Sequence, residues 1–326
     1  MSLKQTDCKC NGLGRKKQYF FMTSIIDLGT NTFHLLIADR HPDGRTRILF
    51  GESRPAKIGK AGINRGVITE EATQRALEVL RYFRAKLDEF GIPAESTVAV
   101  GTSAVRNAAN RQAFIDRIRH ETGIRVTVIS GDEEAAYIYG GVRAAGALDE
   151  RTALVMDIGG GSVEFILGNR DRMFWKQSFE IGGQRLMERF LDADPISPAA
   201  RRRLESFFQE QLLPLANAVH QYQPAVLVGS SGSFDTLVDM QFQHQQGIWP
   251  PADQTAFELP LADFYRSYEQ LLTKNHAERL ALPGMIDLRV DMIVVAVCLI
   301  DYILKTFRIP ALRVSTYALK EGVLVA

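Results

Sequence analysis

The chain has 326 residues, of which 46% are hydrophobic and 24% are charged. This length and apolar content allow a sizeable core and favour two domains over one. Because 39 basic residues are balanced by 38 acidic ones, the composition argues against a general polyanion-binding protein such as a nucleic-acid-binding one, and any basic site must be local.

The cysteines and the apolar runs bear on location. The three cysteines, Cys8, Cys10 and Cys298, cannot form a disulfide framework, which fits a reducing cytoplasm. The longest apolar run, Met292 to Leu304, contains Asp301 and is too short to cross a membrane. We therefore predict a buried helix there and a cytoplasmic protein without a membrane partner.

The first domain is predicted to follow an N-terminal extension, residues 1–21, which lacks regular periodicity and is expected to be disordered. Short apolar runs and the hairpin signal Pro42-Asp43-Gly44 indicate an antiparallel meander. A helix from Thr69 to Phe90, stopped by Gly91, is followed by a strand at 98–100, a helix at 111–121, a strand at 126–129 and a helix at 133–142. This alternation predicts parallel strands added beside the meander, in a domain spanning 22–145.

The second domain, predicted at 146–326, repeats this order. A strand, turn and strand at 153–167 precede a third strand near 174–179. A helix at 184–191, a long helix at 199–222, a strand at 225–228 and further helices complete it. We therefore predict an α/β protein of two related domains with a cleft between them, whose last helix can return to the first domain.

The turn Asp27-Leu-Gly-Thr-Asn-Thr32 carries the first chemical signal. Gly29 permits a tight turn, and Thr30, Asn31 and Thr32 offer donors to a phosphate oxygen. Asp27 would repel phosphate, so it is better suited to holding Mg²⁺ or positioning water. A hairpin that needs glycine and asparagine for its backbone angles explains the motif equally well.

An altered copy occurs at Asp157-Ile-Gly-Gly-Gly-Ser-Val-Glu164. Close backbone approach and a further donor are offered by Gly159, Gly160, Gly161 and Ser162. Asp157 and Glu164 could share a hard cation with phosphate oxygens and water. Although a glycine triplet alone usually means a flexible turn, two such turns facing each other could hold a chain of phosphates.

The two turns resemble the phosphate loops of the actin and sugar-kinase superfamily. Within it, the chain is most similar to the exopolyphosphatase and guanosine pentaphosphate phosphatase family. The similarity extends to further blocks, which are Gly101-Thr-Ser-Ala-Val-Arg106-Asn-Ala-Ala-Asn110, Ile129-Ser-Gly-Asp-Glu-Glu134-Ala135, Ile181-Gly-Gly-Gln-Arg185-Leu186, Leu282-Pro-Gly-Met285 with Arg289 and Asp291, and Ser315-Thr-Tyr-Ala-Leu-Lys-Glu-Gly322. It implies two related domains of the actin-like, ribonuclease H-like fold.

The resemblance also implies roles for individual residues. Glu134 would direct the attacking water, with Glu133 as the fallback, and Arg106 would hold the phosphate being transferred. Asp157, Glu164 and Asp27 would organise Mg²⁺, with Mn²⁺ as the alternative. The substrate would be inorganic polyphosphate or guanosine pentaphosphate, and a homodimer is an open expectation.

A third turn, Gly229-Ser-Ser-Gly-Ser233, occupies the place of a nucleotide-contacting block of the kinases. Ser231 departs from the glycine-richer family pattern, which weakens the case for nucleotide contact, while Ser230, Gly232 and Ser233 are predicted to contact phosphate. A basic segment could line an entrance for a polyanion or consist of solvated loop charges; its members are Arg54, Lys57, Lys60 and Arg65. His34 is expected to pack or face solvent.

Two other functional classes remain open alongside a hydrolase that acts on terminal phosphoanhydrides. A sugar or acetate kinase would share the fold but should carry a firmer adenosine-binding block. A non-catalytic phosphate sensor would keep the glycine turns without needing Glu134.

Overall fold

A computed structural model of the chain describes residues 21–40 and 46–326. By packing, these residues divide into two compact units. The first comprises the described residues up to Ile58 together with Val67–Val128, and the second comprises Gly59–Gly66 and Ile129–Ala326. Residues 1–20 of the predicted extension, with Cys8 and Cys10, lie outside the described residues, as does the predicted turn Pro42-Asp43-Gly44.

The first unit is built on a five-stranded sheet. Its strands β1 to β5 span Phe21–Leu28, Thr32–Arg40, Thr46–Pro55, Val98–Gly101 and Val126–Val128. They lie in the order β3-β2-β1-β4-β5. The first three strands pair antiparallel, whereas β4 and β5 are added in parallel. The predicted meander with parallel additions is confirmed.

Three helices accompany this sheet in the described part of the first unit. Helices α1, α2 and α3 span Glu70–Glu89, Ser103–Arg106 and Arg111–Thr122. The Thr69 hydroxyl accepts a hydrogen bond from the Ala72 N–H at the start of α1, as expected of an N-cap. Gly91, just beyond the end of α1, has a positive φ of 65°, which glycine adopts without strain. The predicted start and stop of this helix are confirmed.

The second unit repeats the strand arrangement of the first. Strands β6 to β11 span Ala153–Ile158, Val163–Gly168, Met173–Phe179, Val226–Ser230, Ala256–Glu258 and Leu312–Ser315. Their order is β10-β11-β9-β6-β7-β8. Without the edge strand β10, this is the order of the first sheet, again with three antiparallel strands and two parallel additions. The predicted α/β architecture of two related units is confirmed.

Nine helices complete the described part of the second unit. Helices α4 to α12 span Gly131–Ala144, Gly183–Phe190, Pro198–Gln211, Leu213–Tyr222, Gly232–Gln246, Leu261–Thr273, His276–Leu280, Met292–Phe307 and Leu319–Val325. The single helix predicted at 199–222 is wrong, because α6 ends before Leu212 and α7 begins at Leu213. Pro214 has no N–H to continue the hydrogen-bond ladder, and its ring crowds the preceding turn.

Helix α11 lies in the core of the second unit. From Met292 to Leu304, every side chain except that of Tyr302 is buried, so the predicted buried helix is confirmed. Cys298 is on this helix, and burial raises the pKa of its thiol to about 12. Within the described ranges, no helix combines the length and apolar character that a membrane crossing requires.

Helix α4 packs against α12 through glycines. A Cβ added at Gly141 would lie 2.1 Å from the Ala318 carbonyl oxygen, and one added at Gly322 would lie 1.7 Å from the Tyr137 carbonyl oxygen. The two backbones are therefore in direct contact, with no room for a side chain between them. We expected the first domain to reach residue 145, whereas packing assigns both α4 and the last helix to the second unit.

Candidate active site

Two carboxylates face each other across adjacent strands of the second unit. Asp157 on β6 and Glu164 on β7 are direct partners in the antiparallel register, so their side chains lie on the same face of the sheet. Their exposed fractions are 5% and 1%. Burial is the main cause that raises the pKa of Glu164 well above its usual value, and the charges of Glu134 and Asp157 add to it.

Asp157 is held by two serines of the third turn. The Ser230 hydroxyl donates to Asp157 Oδ2 at 2.6 Å, and the Ser231 hydroxyl donates to both carboxylate oxygens at 2.8 and 2.9 Å. Burial raises the pKa of Asp157, and these hydroxyls oppose that rise. The predicted contact of Ser230 with phosphate stays a prediction; in the structure this hydroxyl donates to Asp157.

The two candidate glutamates at the start of α4 have different environments. Glu133 closes a capping box, in which its carboxylate accepts from the Ser130 N–H and hydroxyl, both at 2.8 Å. These hydrogen bonds lower the pKa of Glu133, whose side chain is exposed. Glu134 is only 7% exposed, and its charge acts on Glu164. Glu134 therefore belongs with the buried acids, whereas Glu133 serves the helix end.

The glycine turn between β6 and β7 is supported from behind by the segment that leads into α5. The backbone N–H groups of Gly182, Gly183 and Gln184 donate to three carbonyls of the turn, at 3.1, 2.9 and 2.8 Å; the acceptors are Gly161, Gly159 and Gly160. A Cβ on Gly182 would lie 2.4 Å from the Gly161 carbonyl carbon. The carbonyls are thus satisfied on one side by backbone.

A buried basic side chain lies beside the third turn. A Cβ at Gly232 would lie 2.0 Å from the Arg289 guanidinium, so any larger residue at this position would displace that side chain. The charges of Arg289 and Lys320 act on both Asp157 and Asp235. Asp235 is buried on α8, and its pKa is raised to about 7, mainly by that burial. Sequence reasoning gave no role to these three side chains, because their contacts join distant parts of the chain.

The corresponding turn of the first unit is also buried but differs in its charged groups. Thr30, Asn31 and Thr32 are each less than 9% exposed, and the Asn31 carbonyl accepts from the N–H groups of Ala56 and Lys57 at 2.9 and 2.8 Å. Asp27 is paired in register with His34. The Nδ1 atom of His34 lies 2.6 Å from the hydroxyl oxygen of Ser53. This contact agrees with the expectation that His34 packs or faces solvent and is not catalytic.

The roles predicted for Arg106 and for the basic entrance both stay predictions. Arg106 ends α2, which begins directly after β4 and Thr102, and its role stays a prediction. Arg54 is engaged within the first unit, because it donates to Glu52 at 2.7 Å and stacks over Tyr82, 3.4 Å from the ring centre. The entrance formed by Arg54 with Lys57, Lys60 and Arg65 also stays a prediction.

The buried acids of the second unit offer oxygen ligands for a divalent cation. Across residues 21–40 and 46–326, no three His, Cys, Asp or Glu side chains are grouped so as to hold a metal. Mg²⁺ needs fewer protein ligands, because it is usually bound by one or two carboxylates, water and substrate phosphates. Asp157 and Glu164 supply two buried carboxylates on one face of the sheet, and burial is the main cause that raises the pKa of each. This donor set fits Mg²⁺.

Comparison with known proteins identifies similar chains. Residues 36–326 match the sequence model of the Ppx/GppA phosphatase family. The structure resembles an exopolyphosphatase of Cytophaga hutchinsonii with a TM-score of 0.89 and 48% identity, over 93% of this chain and 96% of that one. A guanosine-5'-triphosphate,3'-diphosphate pyrophosphatase of Vibrio vulnificus is 30% identical over 91% of this chain.

The relatives differ in length. The chain covers 57% of the Vibrio vulnificus protein. A putative exopolyphosphatase of Haemophilus influenzae is 28% identical, over 92% of this chain and 89% of that protein. The similarity therefore spans nearly all of this chain, but only part of its longer relatives.

Proposed function

The chain belongs to the Ppx/GppA phosphatase family, and from that premise we propose that it hydrolyses the terminal phosphoanhydride bond of inorganic polyphosphate and releases orthophosphate. The observation that carries this proposal is the buried acid cluster of the second unit, where Asp157 faces Glu164 across two strands and the charges of Glu134 and Asp157 help to raise the pKa of Glu164. The 48% identity to a protein described as an exopolyphosphatase supports the choice of substrate.

In the proposed reaction, a water molecule attacks the terminal phosphorus and Glu134 accepts its proton. The bridging oxygen of the next phosphate leaves, and orthophosphate and the shortened chain are the products. Glu134 suits this role because it is buried next to Glu164, away from bulk water, and a carboxylate within reach of the water can orient it and accept its proton. Glu133 is less suited, because its carboxylate is occupied in the helix cap.

Phosphate binding in the second unit is assigned to the glycine turn. Gly159, Gly160, Gly161 and Ser162 follow Asp157 directly, and the segment behind the turn holds its carbonyls. A turn whose carbonyls are held from behind can present its N–H groups to an anion. Ser233, in the first turn of α8, and Gly232 keep their proposed phosphate contact.

In the first unit, phosphate binding is assigned to the turn after β1 and to Arg106. The contacts would be made by Gly29, Thr30, Asn31 and Thr32. The guanidinium of Arg106 matches two oxygens of a phosphate and would offset charge that develops during transfer.

Asp157 and Glu164 would hold Mg²⁺, with Asp27 as the proposed third acid. The ion would neutralise phosphate charge and make the phosphorus easier to attack. Ser230, Ser231 and Ser178 orient these carboxylates, because their hydroxyls donate to Asp157 and Glu164.

The proposed function is tested by measuring phosphate release from polyphosphate, guanosine pentaphosphate and ATP side by side, with and without Mg²⁺. We expect Mg²⁺-dependent release with the highest kcat/KM on polyphosphate. Release from neither polyphosphate nor guanosine pentaphosphate would overturn the proposal. Phosphorylation of a sugar or acetate by ATP would indicate a kinase instead.

The role of Glu134 is tested with its neighbour as the matched control. Glu134→Gln should lower kcat by about 100-fold or more, because general-base catalysis contributes roughly that factor. Glu133→Gln changes the adjacent residue in the same way and should lower kcat by less than about threefold, since it only weakens a helix cap. Equal kcat values for Glu134→Gln and the wild type would exclude Glu134 as the base. A wild type that binds phosphate but releases none from any of the substrates would indicate a sensor instead.

Guanosine pentaphosphate is the second candidate substrate. The observation that favours it is the 30% identity to the Vibrio vulnificus protein, whose name specifies a guanosine substrate. A kcat/KM for guanosine pentaphosphate above that for polyphosphate would select it. Both substrates present a terminal phosphoanhydride, so the assigned roles of Glu134 and Asp157 would stay the same.

A further inference from the structure

Residues 59–66 form a short insertion that packs within the second unit, although the chain on both sides of it belongs to the first. Its Ala61 N–H donates to Glu188 Oε1 at 3.0 Å, and the Asn64 side-chain amide donates to Glu188 Oε2 at 3.3 Å. Glu188 is on α5. The insertion is therefore fixed to this helix by polar contacts.

Arg185, also on α5, connects this insertion to the glycine turn. Its Nε donates to the Gly161 carbonyl at 2.8 Å, and its Nη1 donates to the Ile63 carbonyl at 2.9 Å. Its Nη2 donates to Glu180 at 3.0 Å. The side chain is only 15% exposed. One guanidinium thus joins the turn after β6, the insertion 59–66 and the segment before α5.

The geometry requires an arginine. Three different nitrogens of the guanidinium serve three acceptors, an arrangement that a planar fork with five N–H donors allows and a single ammonium group does not reproduce. The Gly161 carbonyl also accepts from the Gly182 N–H, so the turn is held at this oxygen by both backbone and side chain.

We propose that Arg185 is a positioning residue, which sets the conformation of the turn 159–161 for phosphate binding and couples it to the insertion 59–66. This inference rests on the proposed function in one respect, since it takes the phosphate of the substrate to bind at that turn. Arg185 acts through the Gly161 carbonyl and does not need to contact the substrate. Loss of Arg185 therefore weakens the binding of phosphate more than it slows the chemical step.

The test uses three variants of the full chain. Arg185→Met removes all three contacts while keeping an unbranched apolar stem. Arg185→Lys keeps the charge but not the fork. Glu180→Gln is the matched control, because it removes the ion pair of Arg185 and leaves both carbonyl contacts in place. KM and kcat are measured with polyphosphate, and hydrogen exchange is measured for the backbone amides of the turn.

We expect Arg185→Met and Arg185→Lys to raise KM about tenfold, with kcat changed by less than about threefold, which is the pattern of lost uniform binding. Exchange in 159–162 should be faster in both variants, and Glu180→Gln should match the wild type in both measurements. Should Arg185→Met fail to fold, Arg185→Lys alone decides the outcome.

Three results would overturn the inference: a normal KM in Arg185→Lys, a fall in kcat with KM unchanged, or exchange in the turn that does not change. Failure of the proposed function is a separate result. In that case the wild type releases no phosphate from polyphosphate or guanosine pentaphosphate, while the exchange measurement still reports whether Arg185 orders the turn.

Discussion

The two glycine turns of the molecule share a backbone plan and differ in their charges. In each unit an aspartate is the penultimate residue of the first strand. A carbonyl of each turn accepts two hydrogen bonds from the segment behind it, and these carbonyls belong to Asn31 and Gly161. The residue opposite the aspartate differs, because His34 faces Asp27 while Glu164 faces Asp157. The supporting arginines differ as well. Arg185 contacts the second turn itself, whereas Arg75 binds the carbonyls of Ala56 and Lys57 behind the first.

This difference separates two tasks that the same fold can perform. A turn with neutral donors can bind phosphate but has few groups for proton transfer or for a cation. The second turn is flanked by buried acids that can do both. One backbone plan with different residues opposite the aspartate would therefore provide both the proposed phosphate-binding turn and the proposed reacting turn.

The largest expected effect comes from the residue opposite each aspartate. Glu164→Gln should lower kcat on the order of 100-fold, because it removes a proposed cation ligand. His34→Gln, the same replacement at the equivalent position, should lower kcat by less than about threefold, since His34 has no proposed role in binding the cation or in proton transfer and its ring contacts the Ser53 hydroxyl. Steady-state phosphate release measures kcat for both variants. A similar loss of kcat in the two variants would mean that the two turns do not have different roles.

A smaller effect, on stability, is expected from the buried Asp235 of the second unit. The pKa of Asp235 is raised from 3.8 to about 7 by burial, so the folded protein retains a proton that the unfolded chain releases. The free energy of unfolding should therefore fall as the pH rises from about 4 to 7. Above about pH 7, Asp235 is ionised in both the folded and the unfolded state, and its destabilising effect no longer increases.

Asp235→Asn removes this penalty. The variant should gain on the order of a few kcal/mol over the wild type at about pH 8 and almost nothing at about pH 4. Urea denaturation at both pH values measures the difference. Glu70→Gln in the first unit is the comparison, since Arg117 lowers the pKa of this exposed acid and no gain at high pH is expected. A constant gain of Asp235→Asn at both pH values would contradict the account.

The smallest effect concerns the residue that precedes the helix after the fourth strand of each sheet. Ser231 has φ 73° and ψ 169°, a backbone region occupied almost only by glycine. Thr102, at the same place in the first unit, has an ordinary extended backbone with φ −106° and ψ −151°. Strain is therefore stored beside Asp157 and not at the equivalent position of the first unit.

Glycine and alanine replacements reveal this strain, because both remove the hydroxyl. Ser231→Gly should be about 1 to 2 kcal/mol more stable than Ser231→Ala, since only glycine relieves the backbone. At Thr102 the order should reverse, with the glycine variant less stable by roughly 0.5 to 1 kcal/mol. Thermal unfolding of the four variants gives both differences, and the same order at both positions would exclude strain at Ser231.

The sequence predicted the elements well where local rules decide them. Thr69 and Gly91 mark the ends of α1, and the repeated strand, turn and strand predicted two similar units. The break between α6 and α7 was missed, although Pro214 was visible. The capping box of Ser130 and Glu133 was also readable from its spacing, and it would have separated Glu133 from Glu134.

The parts of the site that sequence reasoning did not predict depend on contacts between distant residues. Ser230 was expected to contact phosphate, and Ser231 was interpreted only as a departure from the family's glycine-rich pattern. Their hydrogen bonds to Asp157 exist because β9 pairs with β6. Arg289 reaches Gly232 from a segment that comes after α10. Such pairings are set by the folding of the sheet and the packing of helices, and no spacing rule in a single sequence contains them.

The direct contact of α4 with α12 has a mechanical consequence for Glu134. Side chains between helices can change rotamer and let one helix slide over the other, but here Gly141 and Gly322 place backbone against backbone. At this contact, the position of the helix that carries Glu134 is therefore set by backbone and not by side-chain rotamers. Helix α12 therefore limits the movement of α4, and with it the movement of the proposed base Glu134.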